Sequence, residues 1–157
     1  MSVSALAGIS VRRLRPADLG RVVEIDALHR GRAVPGYWEG VRDEFLARDR
    51  QRLRVALGAE SDERLVGYLL GEVRAFEFGS EPCGWIFAVG VEPELRRTGI
   101  ASRLLTAACA RFRDAGILRV RTMVHRSDLP VLSFFRAHGF GAGEYTQLEI
   151  ALPPEAS

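Results

Sequence analysis

An apolar run over 85–91 stops at Glu92-Pro93, and from Ile100 onward Leu104, Ala108 and Phe112 recur at helical spacing. A strand must therefore hand over to a long helix across the short loop Glu92-Pro93-Glu94-Leu95-Arg96-Arg97-Thr98-Gly99. The first turn of that helix leaves backbone N–H groups unpaired and carries partial positive charge. An anion placed there gains hydrogen bonds and dipole attraction together. Gly99 lets a ligand approach the backbone closely, and the guanidinium forks of Arg96 and Arg97 suit phosphate oxygens. The segment reads as a site for a pyrophosphate.

With 157 residues, 47% of them hydrophobic, the chain can bury one core and is too short for two ordinary domains. A single domain over 1–157 is expected, ordered over 9–152, with a loose tail at 153–157. A net charge of +2 against 27% charged residues is too small for a general nucleic-acid binder. All 22 basic residues are arginines. Cys83 and Cys109 are too few for a metal cluster or a disulfide scaffold, which points to a reducing cytoplasm and no metal. No apolar run reaches membrane-spanning length, and residues 1–10 lack the pattern of a signal peptide, so no membrane partner is expected.

In order along the chain, residues 9–14 read as a strand, and Pro16 with Asp18 opens a helix carrying Leu19, Val22, Ile25 and Leu28 on one side. Residues 31–40, holding Pro35-Gly36-Tyr37-Trp38, read as a break before a second helix that continues through Val41, Phe45 and Leu46. Strands at 53–57 and 65–78 are joined by a polar turn at 60–63, the pattern of an antiparallel hairpin. Strand 84–91 and the long helix to about Ala115 follow, then a turn at Gly116, a strand at 118–125 and a short helix at 128–138. Residues 142–152 read as a closing strand or hairpin. Gly90, inside an apolar strand, is expected to mark a bulge or a close backbone approach.

Arg96-x-x-Gly99-x-Ala101 following Val89-Gly90-Val91 resembles the acyl-CoA signature of the GNAT superfamily of N-acetyltransferases. Residues 128–140 resemble that family's Asn-x-x-Ala-x-x-x-Tyr-x-x-x-Gly-Phe run, with Asp128 at the Asn position and Gly139-Phe140 at its end. The resemblance implies an α/β fold of the α+β type, with a mixed, mostly antiparallel central sheet flanked by about four helices. In it the strand before the signature and the strand after the long helix splay apart to admit the pantetheine arm. It further implies acetyl-CoA as co-substrate and an amine as acceptor. The coenzyme residues would be Val89, Gly90, Val91, Arg96, Arg97, Thr98, Gly99, Ile100, Ala101, Ser102, Asp128 and Phe135. By the same analogy, terminal strands pair between protomers as a homodimer.

Acetyl transfer to an amine needs a base for the amine, donors for a developing oxyanion and a proton for the departing thiolate. Phe135 stands at the position of the family's tyrosine acid, and Trp85 and Met123 stand where a glutamate base is often found. None of the three can exchange a proton. His125, on the same strand face as Met123, is the first candidate base, with Glu72 and Tyr145 as weaker ones. Tyr37 and Trp38 are candidates for the acceptor side or, equally, for core anchors, while His29, Arg30 and Arg32 read first as a solvated helix end and second as a lure for an anionic acceptor. The reading is an acetyl-CoA-dependent N-acetyltransferase working by direct attack in a ternary complex. Its alternative is an acyl-CoA-binding sensor without turnover.

Overall fold

The computed structural model describes residues 8–43, 53–75 and 77–154. The element order is β1 (Ile9–Arg13), α1 (Leu19–Arg30), α2 (Pro35–Val41), β2 (Arg54–Ser61), β3 (Arg64–Arg74), β4 (Cys83–Val91), α3 (Ile100–Asp114), β5 (Val120–Thr122) and α4 (Leu129–Ala137). The contacts gather into two units, 1–123 and 124–157.

The first unit holds a sheet in the order β1-β2-β3-β4-β5, antiparallel throughout except for the parallel pair β4 and β5. Side chains alternate between its faces. One face carries Ala56, Tyr68 and Leu70, which meet Val22 and Ile25 of α1 and Trp38 and Val41 of α2 in a buried cluster. On the other face the fully buried Phe112 of α3 lies over Gly71 and Gly84, where an added Cβ would come within 2.9–3.0 Å of its ring. The entrance to α1 is fixed by Asp18, whose carboxylate accepts the Arg15 N–H and both guanidinium nitrogens Nη1 and Nη2 of Arg12. Burial alone would raise the Asp18 pKa. The hydrogen bonds from Arg12 and Arg15 outweigh it and hold the group below the usual carboxylate range.

Several elements differ from expectation. Pro35-Gly36-Tyr37-Trp38 forms the first turn of α2 and not the break before it, because proline at the first helical position supplies the helical φ in advance. Phe45 and Leu46 lie outside the described residues. Leu28 is exposed, although Val22 and Ile25 from the same stripe are buried. β3 ends at Arg74, and Phe78 follows in an exposed turn with φ 48°. β5 spans three residues of the expected eight, since β4 offers it pairing only along Gly84–Ile86. Residues 142–152 form no strand, and α4 is the one regular element of the second unit among the described residues. No described helix is long and apolar enough to cross a membrane.

Candidate functional site

The end of β4 and the loop beyond it are built by three local devices. First, the register with β3 shifts between Leu70 and Gly71, leaving Phe87 as the extra residue. The bulge is therefore at Phe87, not at Gly90 where glycine suggested it. Gly90 serves close approach instead, because a Cβ there would meet the Tyr68 ring and hydroxyl at 2.7–2.9 Å.

Second, β4 parts from β5. The two pair only at Gly84 with Val120, Trp85 with Arg121 and Ile86 with Thr122, and the Thr122 hydroxyl donates to the Ile86 carbonyl at 2.9 Å, closing the fork. Beyond the bulge, the Glu92 N–H donates to the Val66 carbonyl at 2.9 Å, so Gly90 with Tyr68 and Ala88 with Leu70 are the pairs that exchange hydrogen bonds. Val89 and Val91 consequently aim their N–H and C=O groups at the opposite, open edge. The Val91 carbonyl is taken by the His29 ring at 2.8 Å. The Val89 groups and the Val91 N–H have no partner among the described residues.

Third, the loop turns its amides outward. Arg96 is extended, Arg97 is left-handed at φ 61°, and Gly99 is left-handed at φ 87° as the residue preceding α3. The Thr98 hydroxyl donates to the Leu95 carbonyl at 2.6 Å and stays within the loop. The N–H groups of Arg97, Thr98, Gly99, Ile100, Ala101 and Ser102 find no acceptor among the described residues. A left-handed non-glycine residue costs roughly 1–3 kcal/mol, so Arg97 holds this shape because its surroundings impose it. At the start of the loop the buried Glu92 carboxylate takes guanidinium bonds from both Arg21 and Arg64. Six unpaired N–H groups beside two guanidinium groups form a cradle for an anion, and an open strand edge leads away from it.

Behind Gly90, Asp26 is buried and accepts hydrogen bonds from the Trp38 indole at 3.0 Å, Arg30 Nε at 2.8 Å and the Tyr68 hydroxyl at 3.5 Å. Burial first, then the Asp26 charge, pushes the Tyr68 phenol well above its ordinary pKa, so it stays neutral. Trp38 stacks edge-on against Tyr68 and Tyr37, with centroids 5.4 and 5.1 Å away. Trp38 is 1% exposed and Tyr37 49%. Of the two aromatics read as acceptor-side residues or core anchors, Trp38 is thus a core anchor and Tyr37 presents a ring. Glu72 lies opposite Trp85 and accepts from Arg74 at 3.1 Å, while Arg74 covers the Trp85 ring at 4.4 Å.

In the second unit, His125 is exposed, and its Nδ1 receives the Ser127 N–H at 3.2 Å with the Ser127 hydroxyl at 2.6 Å. These contacts place the proton of the neutral ring on Nε2. Asp128 caps α4 by accepting the Val131 N–H at 3.2 Å. Phe135 is buried and meets Phe134 and Phe140 edge-on. Tyr145 is half exposed.

The profile of the acetyltransferase (GNAT) family matches residues 22–140. The chain belongs to that family. A mycothiol acetyltransferase of Thermobispora bispora is 32% identical over 83 residues, which is 52% of this chain and 28% of that protein. One of Saccharomonospora viridis is 28% identical over 87 residues, 54% of this chain and again 28% of the relative. The matched stretch thus spans little more than a quarter of the curated relatives. Among solved structures, the aminoglycoside N-acetyltransferase AAC(6')-Iy in complex with CoA superposes with TM-score 0.76 at 15% identity, covering 91% of this chain and 94% of the other. A transcriptional regulator from Bacillus halodurans C-125 gives 0.75 at 22%, covering 92% and 99%. At these identities the structural likenesses establish the GNAT fold. Sequence reasoning had marked the signature loop, but not His29 against Val91, the Thr122 closure or the Asp26 network. Each includes a contact between residues at least 36 positions apart that no local motif links.

Proposed function

We propose that this GNAT chain is an N-acetyltransferase that moves an acetyl group from acetyl-CoA to a primary amine by direct attack in a ternary complex. The observation that carries it is the row of unpartnered amides at 97–102 continuous with the open edge of β4. These residues fit the co-substrate: the amides with Arg96 and Arg97 suit a diphosphate, and the Val89 N–H and C=O suit the amides of an extended arm. Acetyl-CoA would supply the activated thioester. The Val91 N–H is the donor available to polarise a carbonyl on that edge. His125 is the candidate base, with Glu72 and Tyr145 behind it, and Tyr37 is the aromatic surface offered to the acceptor. Asp128 and Phe135 remain with the coenzyme side of the assignment. We read the chain as one domain of a cytoplasmic homodimer.

The second reading, an acyl-CoA sensor without turnover, is favoured by Trp85, Met123 and Phe135 at positions where proton-exchanging side chains were expected. Thiol release from acetyl-CoA across a panel of small amines, amino acids and peptides separates the two. Turnover with any acceptor supports the transferase. Binding of acetyl-CoA with no release for every acceptor supports the sensor.

A further inference from the structure

We infer that His29 is a positioning residue that sets Arg96 for the coenzyme diphosphate and ties α1 to the end of β4, a role that rests on the coenzyme reading above. His29 lies in the last turn of α1, eight positions after Arg21 and so two turns further along and about 80° round the helix. Both side chains reach the β4 exit: Arg21 binds the buried Glu92 carboxylate, and His29 binds its neighbour Val91. The partners of the imidazole fix its state. A carbonyl can only accept, so Nε2 carries the proton and donates to Val91 O at 2.8 Å. A guanidinium can only donate, so Nδ1 accepts from Nη2 of Arg96. One neutral ring thus closes the outermost carbonyl on the open edge and orients the first arginine of the anion loop. Arg96 keeps its other N–H groups for a ligand. Held in place before binding, it loses less conformational freedom when the diphosphate arrives.

The test is a set of titrations of the full chain with CoA and, separately, with pantetheine, which lacks the diphosphate. If the wild-type chain fails to bind CoA, the coenzyme reading falls and this role falls with it. With wild-type binding in hand, His29→Ala is expected to weaken CoA about three- to tenfold, the cost of ordering one rotamer-rich side chain. Pantetheine affinity should stay unchanged. His29→Asn places an acceptor oxygen where Nδ1 stood and should recover CoA affinity. His29→Gln replaces only the donor to Val91 and should not. In an Arg96→Ala background, His29→Ala should add nothing. Unchanged CoA affinity in His29→Ala, equal losses for both ligands, or a loss that persists without Arg96 would each overturn the assignment.

Discussion

Replacing Gly90 with alanine tests whether the Tyr68 ring and the β4 edge are a single packed unit. The new methyl group would sit 2.7 Å from the ring, and ordinary contact starts at 3.4 Å, so something must move by about 0.7 Å. Tyr68 cannot easily yield, because it is 2% exposed, stacked on Trp38 and bonded to Asp26. The strand must then shift, and overpacking of this kind costs about 1–3 kcal/mol. For a chain of this length that lowers Tm by about 2–12 °C, read by calorimetry or urea titration. Since Gly90 exchanges backbone hydrogen bonds with Tyr68, the shift carries Val89 and Val91 along and should weaken acetyl-CoA binding as well. Adding Tyr68→Leu makes room for the methyl group. The double variant should then be at least about 1 kcal/mol more stable than the two single losses predict together. An unchanged Tm in Gly90→Ala, or strict additivity in the double variant, would refute the reasoning.

Three further outcomes follow from the loop and the fold. Gly99→Val puts a β-branched residue at φ 87°, where it is strongly disfavoured, and should abolish measurable acetyl-CoA binding in calorimetry while costing roughly 1–3 kcal/mol of stability. Arg97→Ala should weaken acetyl-CoA severalfold at low salt and less at high salt, because the lost interaction is between charges; a loss independent of salt would count against it. Asp18, held below its ordinary pKa by Arg12 and Arg15 against the effect of burial, contributes stability above the unfolded value near 4. That contribution is lost as pH falls through the lower folded pKa. Asp18→Asn should cost about 1–2 kcal/mol at pH 7 and flatten the acid limb of the stability curve, and an unchanged acid limb would contradict this.

The strand, loop and helix around 85–112 were legible because each leaves a local mark: an apolar run, a proline stop, a glycine and helical spacing. The first helix and the antiparallel pairing of β2 with β3 were legible for the same reason. What escaped depends on partners remote in sequence. The bulge fell at Phe87, which carries no bulge signature, because it answers the register of β3 and not its own residue type. β5 stopped at Thr122 because β4 turns away, although residues 118–125 favour extended structure throughout. Beside Pro35-Gly36 the sequence left Trp38 open between the acceptor side and the core, and Asp26 on α1, which accepts its indole N–H, is the remote partner that places it in the core. Leu148, Ile150 and Leu152 alternate as a strand would, but alternation shows only a preference for extended backbone, and all three are exposed. At the three positions where the family resemblance implies proton-exchanging side chains, the sequence carries Trp85, Met123 and Phe135.

The proposed activity depends on where acetyl-CoA sits, and a crystal structure of its complex with this chain tests that directly. The predicted result is a diphosphate within hydrogen-bonding distance of the N–H groups of residues 97–102, with the pantetheine arm paired to Val89 along the open edge of β4. A bound nucleotide that leaves those amides untouched, or an arm that runs elsewhere than between β4 and β5, would contradict it.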